Sequence, residues 1–417
     1  MTDLDWIEAA ITAARPQAVG ALLRYFRELD AAEEAFQEAC LRALKSWPKN
    51  GPPRDAAAWL ILVGRNSGVD AVRKQARLTA LPDEAAISDL DDVEDGVVES
   101  LDADQYRDDV LRLLFICCHP DLPATQQIAV ALRIVSGLTV RQIARAFLVS
   151  EAAMEQRITR AKARIGAGDA SFETPGPVER AERFEAVAAM LYLVFNEGYS
   201  GAADPARAGL ADEAIRLSRL LLRLFKTEPE IMGLTALLLL QHARAAARFD
   251  AEGQVILLDD QDRSLWNRTM IAEGLALVDK AMRHQRPGAY QIQAAIAALH
   301  ARAETPADTD WPQIDRLYAA LEHMQPSPVV TLNRAVAVSK VAGPQKALAL
   351  IEPLAERLAN YFHFHGLRGG LLLQLNRQAE ARTAFDRAIA LAGSPAEAAH
   401  IRNHLDRILK ETGLAAE

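Results

Sequence analysis

The sequence has few of the residues that staple, anchor or interrupt a chain. Cysteine occurs three times, as Cys40, Cys117 and the adjacent Cys118, so the even, spaced framework of a disulfide-bonded secreted domain is excluded and a cytoplasmic location is expected. Long apolar runs are missing too. The greasiest stretch, Leu234 to Leu240, is stopped by Gln241 and His242, well short of the roughly 18 residues a membrane span needs, so no membrane partner is expected. The opening residues, Met1 to Trp6, carry neither the basic nor the apolar segment of a secretion signal. An excess of positive charge is also lacking: 47 Lys and Arg stand against 56 Asp and Glu, for a net charge of -9. Bulk attraction to nucleic acid is thereby excluded, and any basic surface has to be local. Runs alternating β-branched and polar residues are scarce, which argues against sheet. No Gly-rich phosphate loop, nucleophile elbow or HExxH is present, so neither an enzyme nor a cofactor is expected.

The chain has 417 residues, 50% hydrophobic and 25% charged, the composition of an ordinary globular protein with two to four domains at roughly 100–200 residues each. Ala, Leu, Arg and Glu dominate, and helical periodicity predicts an all-α fold. Composition shifts divide it. Residues 1–80 read as helices with a Pro/Gly break from Pro48 to Pro53 and a basic end, Asp70 to Arg77. Residues 81–109 read as an acidic linker, since positions 83–109 hold twelve acidic residues against one basic, Arg107, too little apolar surface to offset the entropy of ordering. Residues 110–168 regain helical pattern, and the turn formers from Phe172 to Pro177 precede a long Ala/Leu-rich segment, 178–417. Within it the frames Gln313/Leu317/Ala320, Ala347/Ile351/Leu354 and Ala381/Phe385/Ala388 recur every 34 residues, the length of the tetratricopeptide repeat, a helix pair packed small against large. Gly369, twelve residues before Ala381, takes the small position of the preceding helix. Pro229, Gly233, Gly274 and Ala281 suggest further degenerate pairs, and residues 255–262 an excursion from the pattern.

Two segments could carry chemistry. From Gly137 to Arg164, a break at Gly137, a cap at Thr139, an inner face at Ile143 and Ala144, a turn capped by Ser150, and an apolar stripe at Met154, Ile158 and Ala161 spell a helix-turn-helix. Seven basic residues between Arg133 and Arg164 face two acids, Glu151 and Glu155, a local positive element suited to phosphates. Its second helix would present Ala153, Gln156 and Arg157 to base edges and Arg160, Lys162 and Arg164 to the backbone. A helical hairpin with a solvated basic face is the competing reading. From Trp59 to Arg77, the positions Asn66, Asp70, Arg73, Lys74 and Arg77 form one polar stripe opposite Leu62, Val63 and Val69, either a nucleic-acid contact or an ordinary exposed face. Cys117, Cys118 and His119 are better read as helix packing before Pro120 than as a metal site, because adjacent cysteines rarely reach one tetrahedral ion and no CxxC partner exists. No metal is expected. The aromatic cluster of Tyr361, Phe362 and Phe364 around His363 and His365 reads as repeat core.

In this order, the Asp30 to Leu44 helix, the Trp59 to Arg77 segment, an acidic linker and the helix-turn-helix to Ile165 resemble sigma factors of the extracytoplasmic-function class, which direct bacterial RNA polymerase to promoters. The Leu114 to Pro120 segment, the Ala146 to Val149 turn and the Met190 to Tyr199 stretch further resemble the subgroup with a C-terminal tetratricopeptide-like extension. The resemblance implies two partners, core RNA polymerase and promoter DNA. It assigns clamp docking to the Asp30 to Leu44 helix, with Asp30, Gln37, Glu38 and Arg42 as contacts. It assigns capture of an unstacked −10 base to the loop from Lys49 to Asp55, with Lys49, Asn50 and Arg54, and strand opening to Arg65, Asn66, Asp70, Arg73 and Lys74; an extruded base offers its full edge to a pocket. It assigns the −35 duplex to Ser150, Ala153, Gln156, Arg157, Arg160, Lys162 and Arg164. The acidic linker would imitate RNA in the exit path. Gln75 and Ala76 thin the usual basic run, and Glu151 and Glu155 sit on the reading helix, so DNA binding is expected to depend on core polymerase. The repeat segment is expected to regulate activity and to hold a protein partner. A stand-alone operator-binding regulator with ligand- or peptide-sensing repeats is the alternative, and the Asp30 to Arg77 segment, for which it has no use, discriminates the two; a scaffold with solvated basic faces is a third.

Overall fold

The apolar positions that recur every three to four residues are the ones that meet in the core, and each such stretch becomes a helix. The computed structural model describes residues 5–76, 103–119, 122–147, 149–167, 177–200, 205–250 and 255–392. Among them no sheet forms; one isolated antiparallel bridge joins Phe249 and Val255. The protein is all-α, in two units, Met1–Gly198 and Tyr199–Glu417.

In the first unit, α1 (Asp5–Phe26), α2 (Leu29–Asn50) and α3 (Ala56–Ala76) pack against one another in every pairing. Along α2 the positions Ala32, Ala35, Phe36, Ala39, Ala43 and Trp47 are all buried, a single stripe at helical spacing. Trp47 closes the bundle by lying between Trp6, at 6.0 Å, and Trp59, at 5.3 Å. The break expected from Pro48 begins later, because α2 runs through Pro48 to Asn50 and ends on Gly51 at φ 82°, a left-handed value that glycine adopts without strain. Lys49 and Asn50 are therefore helical, and the loop is Gly51 to Asp55. The Asp55 carboxylate then caps α3, accepting from the backbone N–H of Ala57 at 2.8 Å and of Ala58 at 3.1 Å.

The unit continues with α4 (Ala103–Cys117), α5 (Ala124–Ile134), α6 (Val140–Ala146), α7 (Glu151–Ala167) and α8 (Pro177–Ser200). Two expectations change here. Residues 103–109, read as the end of the acidic linker, are the start of α4, while linker positions 77–102 lie outside the described residues. Asp109 is 2% exposed and sits between Arg24, at 3.5 Å, and Arg112, at 3.0 Å; a carboxylate held by two guanidiniums is compatible with burial, which a count of acids cannot reveal. The boundary expected between 168 and 178 falls instead after Gly198, since α8 belongs to the first unit, with Phe184 packed edge-on to Phe115 of α4 at 5.9 Å.

The second unit contains α9 (Pro205–Leu224), α10 (Pro229–His242), α11 (Arg268–Met282), α12 (Ala289–Arg302), α13 (Trp311–Met324), α14 (Pro328–Ala342), α15 (Pro344–Ile351), α16 (Phe362–Gln374) and α17 (Gln378–Leu391), each packed on the next. Every residue of α10 from Ile231 to Leu240 is buried, as a helix apolar on all sides must be. The last two repeat frames hold. Ala347, Ile351, Ala381, Phe385 and Ala388 are all at the core, and a Cβ added at Gly369 would lie 2.7 Å from the Phe385 ring. The first frame is displaced by one residue. Gln313 and Ala320 are exposed, and Ile314 and Leu321 are buried instead, because burial selects the apolar stripe over the numerical period.

Candidate functional site

The helix-turn-helix is built by local chemistry. Gly137, at φ 75°, reverses the chain after α5, and Thr139 begins α6 with a capping box: the Gln142 N–H donates to Thr139 Oγ1 at 3.2 Å while the Thr139 N–H donates to Gln142 Oε1 at 2.8 Å. Ser150 starts α7 in the same manner, accepting from the Ala153 N–H at 3.2 Å. Met154, Ile158, Ala161 and Ile165 are buried against α5 and α6, which turns the other side of α7 outward. There Ala153, Gln156, Arg160 and Arg164 are exposed and Arg157 is half-buried. Thr159 is exposed on the same face, one turn beyond Gln156, a hydroxyl that neither charge nor an amide marks in the sequence. Glu151, read as a residue that weakens anion binding, lies 3.5 Å from Arg141 of α6.

The second polar surface forms where α2 ends and α3 begins. Lys49, Asn50, Arg54, Arg65 and Asn66 are exposed, with Asn50 donating to Ser46 Oγ at 3.3 Å. Arg65 lies over the Tyr25 ring at 4.7 Å, a cation–π contact that orients its guanidinium. Asp70, Arg73 and Lys74 fall within α3, but their side chains lie outside the described residues. The third surface is the outer face of α2, which carries Gln37 with Glu38 and Arg42 paired at 3.3 Å. Leu41 and Leu44, 55% and 49% exposed, share that face. Apolar groups presented to water at helical spacing from Gln37 are a contact signal that a search restricted to polar residues passes over.

Asp30 stands apart from that set. Its carboxylate accepts from Lys162 Nζ of α7 at 2.7 Å, and the same ammonium donates to Glu33. Glu33 in turn receives Arg15 Nη2 at 3.3 Å, and Arg15, 5% exposed, donates Nε to the Ile134 carbonyl at 2.8 Å and lies 4.8 Å from the Phe36 ring. One charged network thus joins α1 and α2 to α5 and α7. Burial pushes the Arg15 value down, against the pull of Glu33. Burial also opposes the charge on Lys162, but its hydrogen bonds to Asp30 and Glu33 outweigh this and raise its pKa. The three thiols are buried or half-buried, and burial lifts Cys40 to about 11 and Cys118 to about 12, which keeps both protonated at neutral pH.

Residues 10–78 match the family described as sigma-70 region 2, and residues 112–165 match sigma-70, region 4. An uncharacterized protein of Rhizobium meliloti is 71% identical over 419 aligned residues, which span 100% of this chain and 99% of that one. The chain belongs to the sigma-70 family, as an extracytoplasmic-function-like member with a C-terminal extension. In this sigma factor region 2 covers the α1–α3 bundle, and region 4 covers the helix-turn-helix. Residues 183–282 match a family of unknown function (DUF6596), which begins in α8 and runs through α11. No solved structure matches the chain. The sigma factor acts in promoter recognition with core RNA polymerase and promoter DNA as partners, and the stand-alone regulator is not favoured, since it has no use for region 2. Among the described residues no helix is long and apolar enough to cross a membrane.

Proposed function

We propose that this sigma factor reads its promoters in the cytoplasm through two surfaces, the outward face of α7 on −35 duplex and the Lys49, Asn50, Arg54, Arg65 and Asn66 surface, continued along α3 by Asp70, Arg73 and Lys74, on the opened −10 strand. The observation that carries the reading is α7 itself. Four buried apolar residues fix its roll, and the side that remains offers Ser150, Ala153, Gln156 and Arg157 at the end that enters a major groove and Arg160 and Arg164 farther along, toward phosphates. The exposed Leu41 and Leu44, with Gln37, Glu38 and Arg42, form the face that docks on polymerase. Lys162 and Asp30 occupy each other in the protein alone, so binding exchanges their pairing: Lys162 for a phosphate and Asp30 for polymerase. The repeat unit regulates this activity by contacting the sigma regions or polymerase, in place of a separate inhibitor protein.

Run-off transcription with purified core polymerase on promoter fragments tests the first part. Asn66→Ala and Arg157→Ala should each lower specific initiation at least fivefold, the lower end of the about 1–3 kcal/mol that a good base contact contributes. Full initiation by both variants would overturn the assignment. A chain ended after Gly198 keeps α8 with its unit and tests the second part; unchanged promoter output in cells would overturn regulation by the repeats.

A further inference from the structure

Between α10 and α11 the chain leaves the repeat pattern for a stretch of single 3₁₀ turns around the Phe249–Val255 bridge. Arg263 stands in one of these turns and is 9% exposed. Its Nη1 donates to the carbonyls of Ala303, at 2.6 Å, and His300, at 2.9 Å. The opposite edge of the guanidinium is different: Nε and Nη2 are sealed from solvent and have no hydrogen-bond partner among the described residues. Trp266 flanks the guanidinium, its ring centre 4.6 Å away, and its Nε1 is likewise buried without an acceptor. Among the described residues no carboxylate makes an ion pair with this charge. Asp259 and Asp308 act on Arg263 through space, but Asp259 is paired with Lys340 at 3.1 Å and Asp308 accepts from Thr305 Oγ1 at 2.7 Å.

An ionised guanidinium shut away with three of its five N–H donors empty is costly. Burial and the fields of Arg244 and Arg263 push His300 down to about 4, against the pull of Asp259, so it is neutral at pH 7 and leaves the Arg263 charge as it is. The free Nε–Nη2 edge is also the fork whose two parallel N–H groups match the two oxygens of a carboxylate or phosphate.

We propose that this edge of Arg263, with Trp266 beside it, is the recognition element of a site for a small molecule bearing an oxyanion, either a carboxylate or a phosphate. Entry requires the covering turns to yield. They have few ladder hydrogen bonds to hold them, the property that lets a segment open locally. Occupancy would close the turns over the ligand and couple its presence to the packing of α10, α11 and α12.

Hydrogen exchange of the full chain, read over residues 256–268 and 299–304, tests this with millimolar inorganic phosphate or formate against chloride at equal ionic strength. Exchange in both segments should slow in proportion to oxyanion concentration. Slowing by phosphate alone would identify a phosphorylated ligand, and slowing by formate alone a carboxylic acid. Arg263→Lys keeps the charge and the carbonyl contacts but loses the fork, and should abolish the effect. Arg263→Gln, whose amide retains donors for the same carbonyls, serves if the lysine variant does not fold. Exchange insensitive to both oxyanions, or equal slowing in the folded variant, would overturn the proposal.

Discussion

Two joints, one in each unit, are held by different forces. In the first, the bundle of α1 to α3 meets the helix-turn-helix through Arg15, Glu33, Asp30 and Lys162, with Asp109 between Arg24 and Arg112. In the second, α15 to α17 meet through Ala347, Ile351, Phe364, Ala381 and Phe385, all at 2% exposure or less. Apolar interdigitation cannot be exchanged for anything water offers, so it suits a permanent scaffold. Ion pairs can be traded for phosphate or for another protein's charges, which is what the proposed exchange of Lys162 and Asp30 requires.

The contrast is broken most severely from the apolar side. Phe385→Ala should cost about 3–5 kcal/mol, the range for emptying a buried aromatic site, and chemical denaturation should show the loss in the second unit with the first unaffected. Arg15→Leu should cost about 3 kcal/mol, because it orphans the Ile134 carbonyl and strips Glu33 of one partner; denaturation should show it in the first unit, with no change in the second. Equal destabilisation of both units by either variant would erase the distinction.

Acid and alkali should separate the units further. His300 has a folded value near 4 against 6.5 for the free side chain, so the unfolded chain takes up that proton first and the second unit loses stability as pH falls from about 6.5 to about 4. His300→Gln should remove that part of the loss in thermal melts across this range. Lys162 has a raised value, so its contribution to the first unit is complete below the ordinary lysine value and disappears as pH rises through its folded value. Lys162→Met should therefore match the unmodified protein only in strong alkali, as read by hydrogen exchange in α7. The smallest effect is local: Thr139→Ala should cost about 1 kcal/mol of helix-turn-helix stability by removing one cap.

Much of the site was legible beforehand because its signals are short in range. Caps at Thr139 and Ser150, the stripe of Met154, Ile158 and Ala161, and the frames at Ala347 and Ala381 each repeat within a turn or two, where helical geometry alone sets which side chains align. The misreadings have equally definite causes. Lys49 and Asn50 read as loop because Pro48 precedes them, whereas a proline leaves α2 unbroken here and Gly51 ends it. The first repeat frame lies one residue on because Gln313 is polar and the apolar stripe begins at Ile314.

Sequence order and periodicity were enough to set the helices, their caps, the two sigma regions and the last two frames of the helical second half, since each depends on residues close together in the chain. The pairing of Arg15 with the Ile134 carbonyl, 119 positions away, and of Lys162 with Asp30, 132 positions away, belongs to the folded molecule alone, as does the half-satisfied guanidinium of Arg263. A charge in a sequence carries no mark of whether folding will bury it or what will stand opposite; only the meeting of distant helices assigns its partner, or leaves it without one.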